Sequence, residues 1–101
     1  MSTPIDQEIQ DKLDAATFRR LLKHLDDNKE VQNIDLMILA NFCRNCLGKW
    51  YKAAADDLNI EVSDNEAREH IYGMPYSEWK EKHQQPATPE QMAAFEAKQK
   101  K

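Results

Sequence analysis

Glycine is scarce, with two residues in 101, and Val and Thr are scarce as well. An all-β chain needs glycine at its turns and β-branched residues in its strands, so that class is excluded. Only two cysteines are present. A secreted domain this small is usually held by several bridges, so Cys43 and Cys46 read as reduced thiols in a cytoplasmic protein. No apolar run approaches membrane length. The first ten residues contain acids and no apolar h-region, so they are not a secretory signal. Positive charge is also in deficit, with a formal net charge of -4. Nucleic-acid binding is largely phosphate neutralisation by Lys and Arg, so neither a nucleic acid nor a membrane is an expected partner. There is no Gly-rich phosphate loop, and no Ser-His-Asp or Cys-His-Asn pattern can be argued from spacing. Hydrolase, kinase and dehydrogenase readings lack support.

What remains is helix-forming material. Hydrophobic residues make up 41% and charged residues 32%, a globular balance that sets disorder aside. Ala, Leu, Gln, Lys and Glu dominate. One domain over 1–101 is expected, an all-α bundle of four to five helices packed around a central helix 34–58.

Thr3-Pro4 opens the first helix, with a capping residue before a proline. Ile5, Ile9, Leu13 and Ala16 share one face, while Phe18, Leu21, Leu22 and Leu25 share nearly the opposite one. Either the helix breaks near Asp14 to Thr17 or one rod serves two partners. Asn28 is the stop. Asn33 caps the central helix, whose stripe is Leu36, Leu39, Ala40, Cys43, Leu47, Trp50, Ala54 and Leu58. Its back carries Asn41, Arg44, Asn45, Gly48, Lys49 and Lys52, with Ile34, Met37 and Ile38 on that side in the first turn only. Ser63 to Glu66 is a capping box for a helix 64–72 that ends at Gly73. Pro75 starts a helix from Tyr76 to Gln84, with Tyr76, Trp79 and His83 on one face. Thr88-Pro89-Glu90-Gln91 opens the last helix, which gives way to a frayed tail over 97–101.

Asn41-Phe42-Cys43-Arg44-Asn45-Cys46-Leu47 with Lys49-Trp50-Tyr51, then Ile71-Tyr72-Gly73-Met74-Pro75-Tyr76 with Glu78-Trp79-Lys80, then Ala87-Thr88-Pro89-Glu90-Gln91, form long runs rich in Cys, Trp, Tyr and Pro. They resemble the short bacterial domain-of-unknown-function family 1244, as does Val31-Gln32-Asn33-Ile34-Asp35-Leu36-Met37. The resemblance covers most of residues 18–91. It implies a small helical bacterial protein and no particular activity.

Three groups are candidates for function. Cys43 and Cys46 form a C-x-x-C pair, a spacing that suits a soft metal or a dithiol–disulfide couple. A structural zinc needs two further ligands, for which His70 and His83 are the candidates. A redox pair prefers a helix N-terminus, and a mid-helix position removes that help. Buried structural thiols are therefore the first reading, with no cofactor, and zinc or redox chemistry the alternative.

The second group is the polar stripe Asn41, Arg44, Asn45 and Lys49. A plain solvated face carries Glu and Lys, which favour helix more than Asn does. Two Asn around one Arg suit a carboxylate or a backbone carbonyl. Arg44 is expected to pair with such a group from another element, with Asn41 and Asn45 holding it; the other reading of the stripe is an ordinary solvated face. The third group is Tyr72 and Tyr76 beside Trp79, residues of core or interface. Taken together these features describe an interaction module that binds a protein partner or a second copy of itself.

Overall fold

The computed structural model describes residues 6–99. It contains six helices and no strand among those residues: α1 (Gln7–Asp27), α2 (Asn33–Ala40), α3 (Arg44–Asp57), α4 (Asp64–Tyr72), α5 (Tyr76–His83) and α6 (Pro89–Gln99). The chain is an all-α bundle, and no described helix is long and apolar enough to cross a membrane.

The two glycines leave most helix stops to asparagine. Asn41 ends α2 at φ 61° and returns its N–H to the Met37 carbonyl. Asn59 follows α3 at φ 59°. There Ile60 N–H donates to Ala55 O at 2.8 Å and Asn59 N–H to Asp56 O at 3.0 Å, which is a Schellman ending. Gly73 closes α4 at φ 74°. Asn tolerates the left-handed conformation better than other side chains do.

Asn41 overturns the expected single helix 34–58, and this is why there are six helices and not five. Phe42 and Cys43 run out of helical geometry, and Cys43 becomes the N-cap of α3 with φ -144° and ψ -178°. At α2 the N-cap is Gln32, not Asn33; its N–H donates to Asp35 Oδ2 at 3.0 Å.

The expected apolar stripe is also corrected. Leu39, Trp50 and Leu58 are 80%, 59% and 70% exposed. The buried face of α3 is Arg44, Leu47, Gly48 and Ala55. It is turned roughly 80° from the stripe, at 100° per residue. Small residues explain the turn. A Cβ at Gly48 would stand 3.4 Å from Arg68 Cγ and 3.7 Å from Arg68 Cα, and Ala67 of α4 is 1% exposed. Small residues on facing helices let the backbones of α3 and α4 come close.

Leu25, Leu36, Cys43, Leu47 and Ile71 form the core, with Phe18, Leu22, Val31, Met37, Phe42 and Cys46 packed on it. α1 is one continuous rod, so the switch of apolar face serves two sides of one helix. Its second half joins the core, while Ile9 and Leu13 stay 47% and 48% exposed. The Thr3-Pro4 cap and Ile5 lie outside the described residues; within them, Asp6 caps α1 by accepting from Ile9 N–H at 2.9 Å. Asn28 is the C-cap. The Ser63–Glu66 and Thr88–Gln91 capping pairs both form.

α6 lies along α2, where Gln91 Nε2 donates to Asp35 Oδ1 at 2.7 Å and Lys98 Nζ to the Ile38 carbonyl. Ile34, Met37 and Ile38 are half-buried there. The tail expected over 97–101 is helical to Gln99, and residues 100–101 lie outside the described ones.

The two glycines differ in what they tolerate. Gly73→Ala is expected to lower unfolding stability by about 1 kcal/mol, because alanine resists the left-handed conformation. Gly48→Ala would set its Cβ at ordinary van der Waals distance from the Arg68 side chain and backbone, 3.4 Å from Cγ and 3.7 Å from Cα, and gains helix propensity, so it is expected to be neutral or stabilising by up to about 1 kcal/mol. Urea unfolding of both variants reads the contrast. Equal losses at the two positions would show that α3 and α4 are packed too tightly for a Cβ.

Candidate functional site

The break between α2 and α3 lets Arg44 enter the domain, and its residue is 2% exposed. Nη1 donates to the Val31 carbonyl at 2.8 Å and to Asn33 Oδ1 at 3.1 Å. Nη2 donates to the carbonyls of Asn28 at 3.1 Å and Leu25 at 3.3 Å. The Arg44 backbone N–H also donates to Asn33 Oδ1, at 3.3 Å. The guanidinium lies 5.1 Å from the centre of the Trp79 ring, within cation–π range.

Among the described residues no carboxylate accepts from this cation. Leu25 and Asn28 sit at the C-terminal end of α1, where the helix dipole presents partial negative charge and carbonyls that each take one backbone N–H keep a second lone pair free. Arg44 therefore caps α1 from another helix. Burial lowers the pKa of Arg44 from its ordinary value, but an arginine starts so high that the charge remains.

From Asn33 the network continues outward. Asn33 Nδ2 donates to Tyr72 Oη at 3.1 Å, and Tyr72 Oη donates to Asn45 Oδ1 at 2.7 Å. Asn45 Nδ2 then reaches Tyr76 Oη at 3.4 Å. Tyr72 is 3% exposed, and burial pushes its phenol well above the ordinary range. Its ring centre lies 4.8 Å from Trp79 and 5.1 Å from Tyr76. Buried Gln32 fastens the link after α5: its Nε2 donates to His83 O at 3.1 Å, and its Oε1 accepts from Gln85 N–H at 2.8 Å. Thus Arg44, Asn45, Tyr72 and Tyr76 share one network. Asn41 and Lys49 are exposed outside it. Asn33 belongs to the network, and Gln32 makes a separate link beside it to the end of α5; neither gave a signal of this in the sequence.

The cysteines are next to this hub and not in mid-helix. Cys43 is the N-cap of α3 and Cys46 lies in its first turn, with Sγ atoms 3.8 Å apart. Burial raises the thiol pKa of Cys43. The histidines offered as further ligands lie elsewhere. His70 stacks on Tyr51 at 4.5 Å, and His83 packs on Trp79 at 5.7 Å. Among the described residues no three His, Cys, Asp or Glu side chains are grouped to hold a metal ion. The Cys43, Cys46, His70 and His83 ligand set is therefore not assembled. A surface depression lined by Lys52, Asp56 and residues 59–64 with Glu66 contains none of these groups.

Arg44→Ala takes the guanidinium donor from the Val31 carbonyl, removes one of two donors from the Leu25 and Asn28 carbonyls and from Asn33 Oδ1, and leaves the buried site empty; it is expected to destabilise the domain by about 3 kcal/mol or more. Arg44→Lys restores charge without the planar fork and should recover only part of this. Tyr72→Phe should cost about 1–2 kcal/mol. Denaturant unfolding measures all three. An Arg44→Ala protein within 1 kcal/mol of the parent would mean that water replaces the guanidinium at no cost.

The comparison with known families agrees with the runs that anchor this site. No curated protein matches the chain. A family model described as a protein of unknown function, DUF1244, matches residues 31–97. That span holds Asn33, Arg44, Asn45, Tyr72, Tyr76 and both cysteines, and it makes up more than half of the chain: the chain belongs to the DUF1244 family, whose description assigns no function.

Proposed function

We propose that the chain is a non-enzymatic interaction module that pairs with a second copy of itself through α1. One observation carries the reading: along the ridge of residues four apart on α1, Ile9 and Leu13 are 47% and 48% exposed on the side away from the core, and Leu21, which the winding of the ridge brings round to the edge of the core-facing side, is 36% exposed. Residues four apart form the ridges by which helices commonly pack.

With Thr17 included, the ridge is symmetric about Ala15. An antiparallel two-fold pairing sets Ile9 against Leu21 of the other copy and Leu13 against Thr17. Such an interface is self-complementary, as a two-fold dimer requires. Charge favours the same direction. The first half of α1 carries Glu8, Asp11 and Asp14 after the Asp6 cap, against one base, Lys12. The second half carries Arg19, Arg20 and Lys23 around its middle, with Asp26 and Asp27 confined to the last turn. Antiparallel helices put acid beside base, and parallel ones would put like beside like. Arg19 and Arg20 enter no ion pair among the described residues. The radius of gyration, 16.3 Å, exceeds the ~13 Å of a compact chain of this length, as fits a domain with a projecting helix.

Two unbridged thiols and the family resemblance support a bacterial cytoplasmic setting.

Sedimentation velocity over a concentration series should show a monomer–dimer equilibrium that weakens with salt. Leu13→Glu should give a monomer with unchanged helicity and melting of the monomer unit, and Arg20→Glu should weaken pairing. A strict monomer at the highest soluble concentration would end this reading.

A further inference from the structure

We propose that Cys43 and Cys46 form a reversible dithiol–disulfide couple that exchanges with disulfide-bearing molecules. The inference stands apart from the pairing through α1, because it uses a different face. Its basis is the juxtaposition of the two sulfurs, 3.8 Å apart, at the start of α3. They need only close to the ~2.05 Å of a bond. Their environments are unequal: Cys43 is 9% exposed and belongs to the core, while Cys46 is half-buried at its edge. That is the division of labour an exchange pair needs, with one thiol in reach of a partner and one held behind it.

Two further features fit this role. The residues between the cysteines are anchored, Arg44 by its carbonyls and Asn45 by Tyr72 and Tyr76. The first turn of α3 is therefore held in place while bonds between the sulfurs form and break. Beside the pair, Trp50 lies one turn beyond Cys46 on the same side of the helix. It is 59% exposed and stacks on Phe42 with ring centres 6.3 Å apart. This uncovered aromatic surface offers an apolar resting place next to the accessible thiol.

The chemistry balances without a metal. The Cys46 thiolate attacks one sulfur of an incoming disulfide. A mixed disulfide forms, and the partner's other sulfur leaves as a thiolate that takes up a proton. Cys43 then gives up its proton and attacks Cys46 Sγ, which closes the Cys43–Cys46 bond and expels the second partner thiol. The two protein thiols lose two electrons and two protons, and the disulfide gains both and leaves as two thiols. Desolvation keeps the Cys43 proton in place, which suits the second, resolving step and leaves attack to Cys46.

The probe is glutathione. The full reduced chain is equilibrated over a range of oxidised-to-reduced glutathione ratios, quenched in acid, alkylated and weighed intact. Two species should dominate, one with both thiols alkylated and one with neither, both monomeric by mass and interconverting with the ratio. Cys43→Ser should instead hold a lasting glutathione adduct on Cys46. Cys46→Ser should leave Cys43 at least about tenfold slower to modify. The wild-type measurement decides even if a variant fails to fold. The proposal is overturned if both thiols stay alkylatable at every ratio, or if wild type accumulates a stable adduct at one cysteine. It is overturned equally by a disulfide that excess reduced glutathione cannot open, since that is a structural bridge.

Discussion

A single buried cation that forms no ion pair among the described residues organises this domain. Burying a guanidinium costs several kcal/mol unless its hydrogen bonds are replaced and its charge is offset. Arg44 meets both conditions with backbone dipoles: the carbonyls of Leu25, Asn28 and Val31, plus Asn33 Oδ1. Those acceptors belong to the end of α1 and the segment leading into α2, so the direction of α1 relative to α3 follows from one side chain. Through Asn33 and Tyr72 the same cation is coupled to α4 and α5. A fully satisfied polar network of this kind favours one arrangement over others, because any shift leaves a buried group unpaired.

How much of this could be read from the residues depends on how local the cause is. The stop at Asn28, the Ser63–Glu66 and Thr88–Gln91 capping pairs and the ending at Gly73 all lie within a few residues of their own partners, and each stands where the sequence places it. The break at Asn41 was hidden by the apolar residues on both sides of it, which continue a helical period across a left-handed stop. Periodicity also misplaced the buried face of α3. It finds the centre of the apolar arc, whereas burial is set by what the neighbouring helix can approach, here Gly48 and Ala55, and by where Arg44 finds acceptors. The excess of Asn around Arg44 was visible as an anomaly of propensity. Its acceptors were not, because three are backbone carbonyls and no residue type announces a free carbonyl. The candidate metal ligands are not brought together for a similar reason: spacing places histidines on faces of helices, and only packing decides that His70 meets Tyr51 and His83 meets Trp79.

The exposed apolar groups are consequences of the same cation. Turning α3 so that Arg44 and Gly48 face inward carries Trp50 and Leu58 outward, and no other described helix covers them. Fixing α1 by its C-terminal carbonyls secures one end of a 21-residue rod and leaves Ile9 and Leu13 beyond the body of the domain. The break that admits Arg44 also lifts Cys43 out of mid-helix and sets it at the head of α3, one turn from Cys46. Arg44 and Asn45, the two residues inside the C-x-x-C spacing, are the ones that hold the network. A mutation that disturbs the hub must therefore also move the sulfurs. A change confined to Trp50 or Leu13 need not disturb either, which separates the surfaces of this protein from the interaction that shapes them.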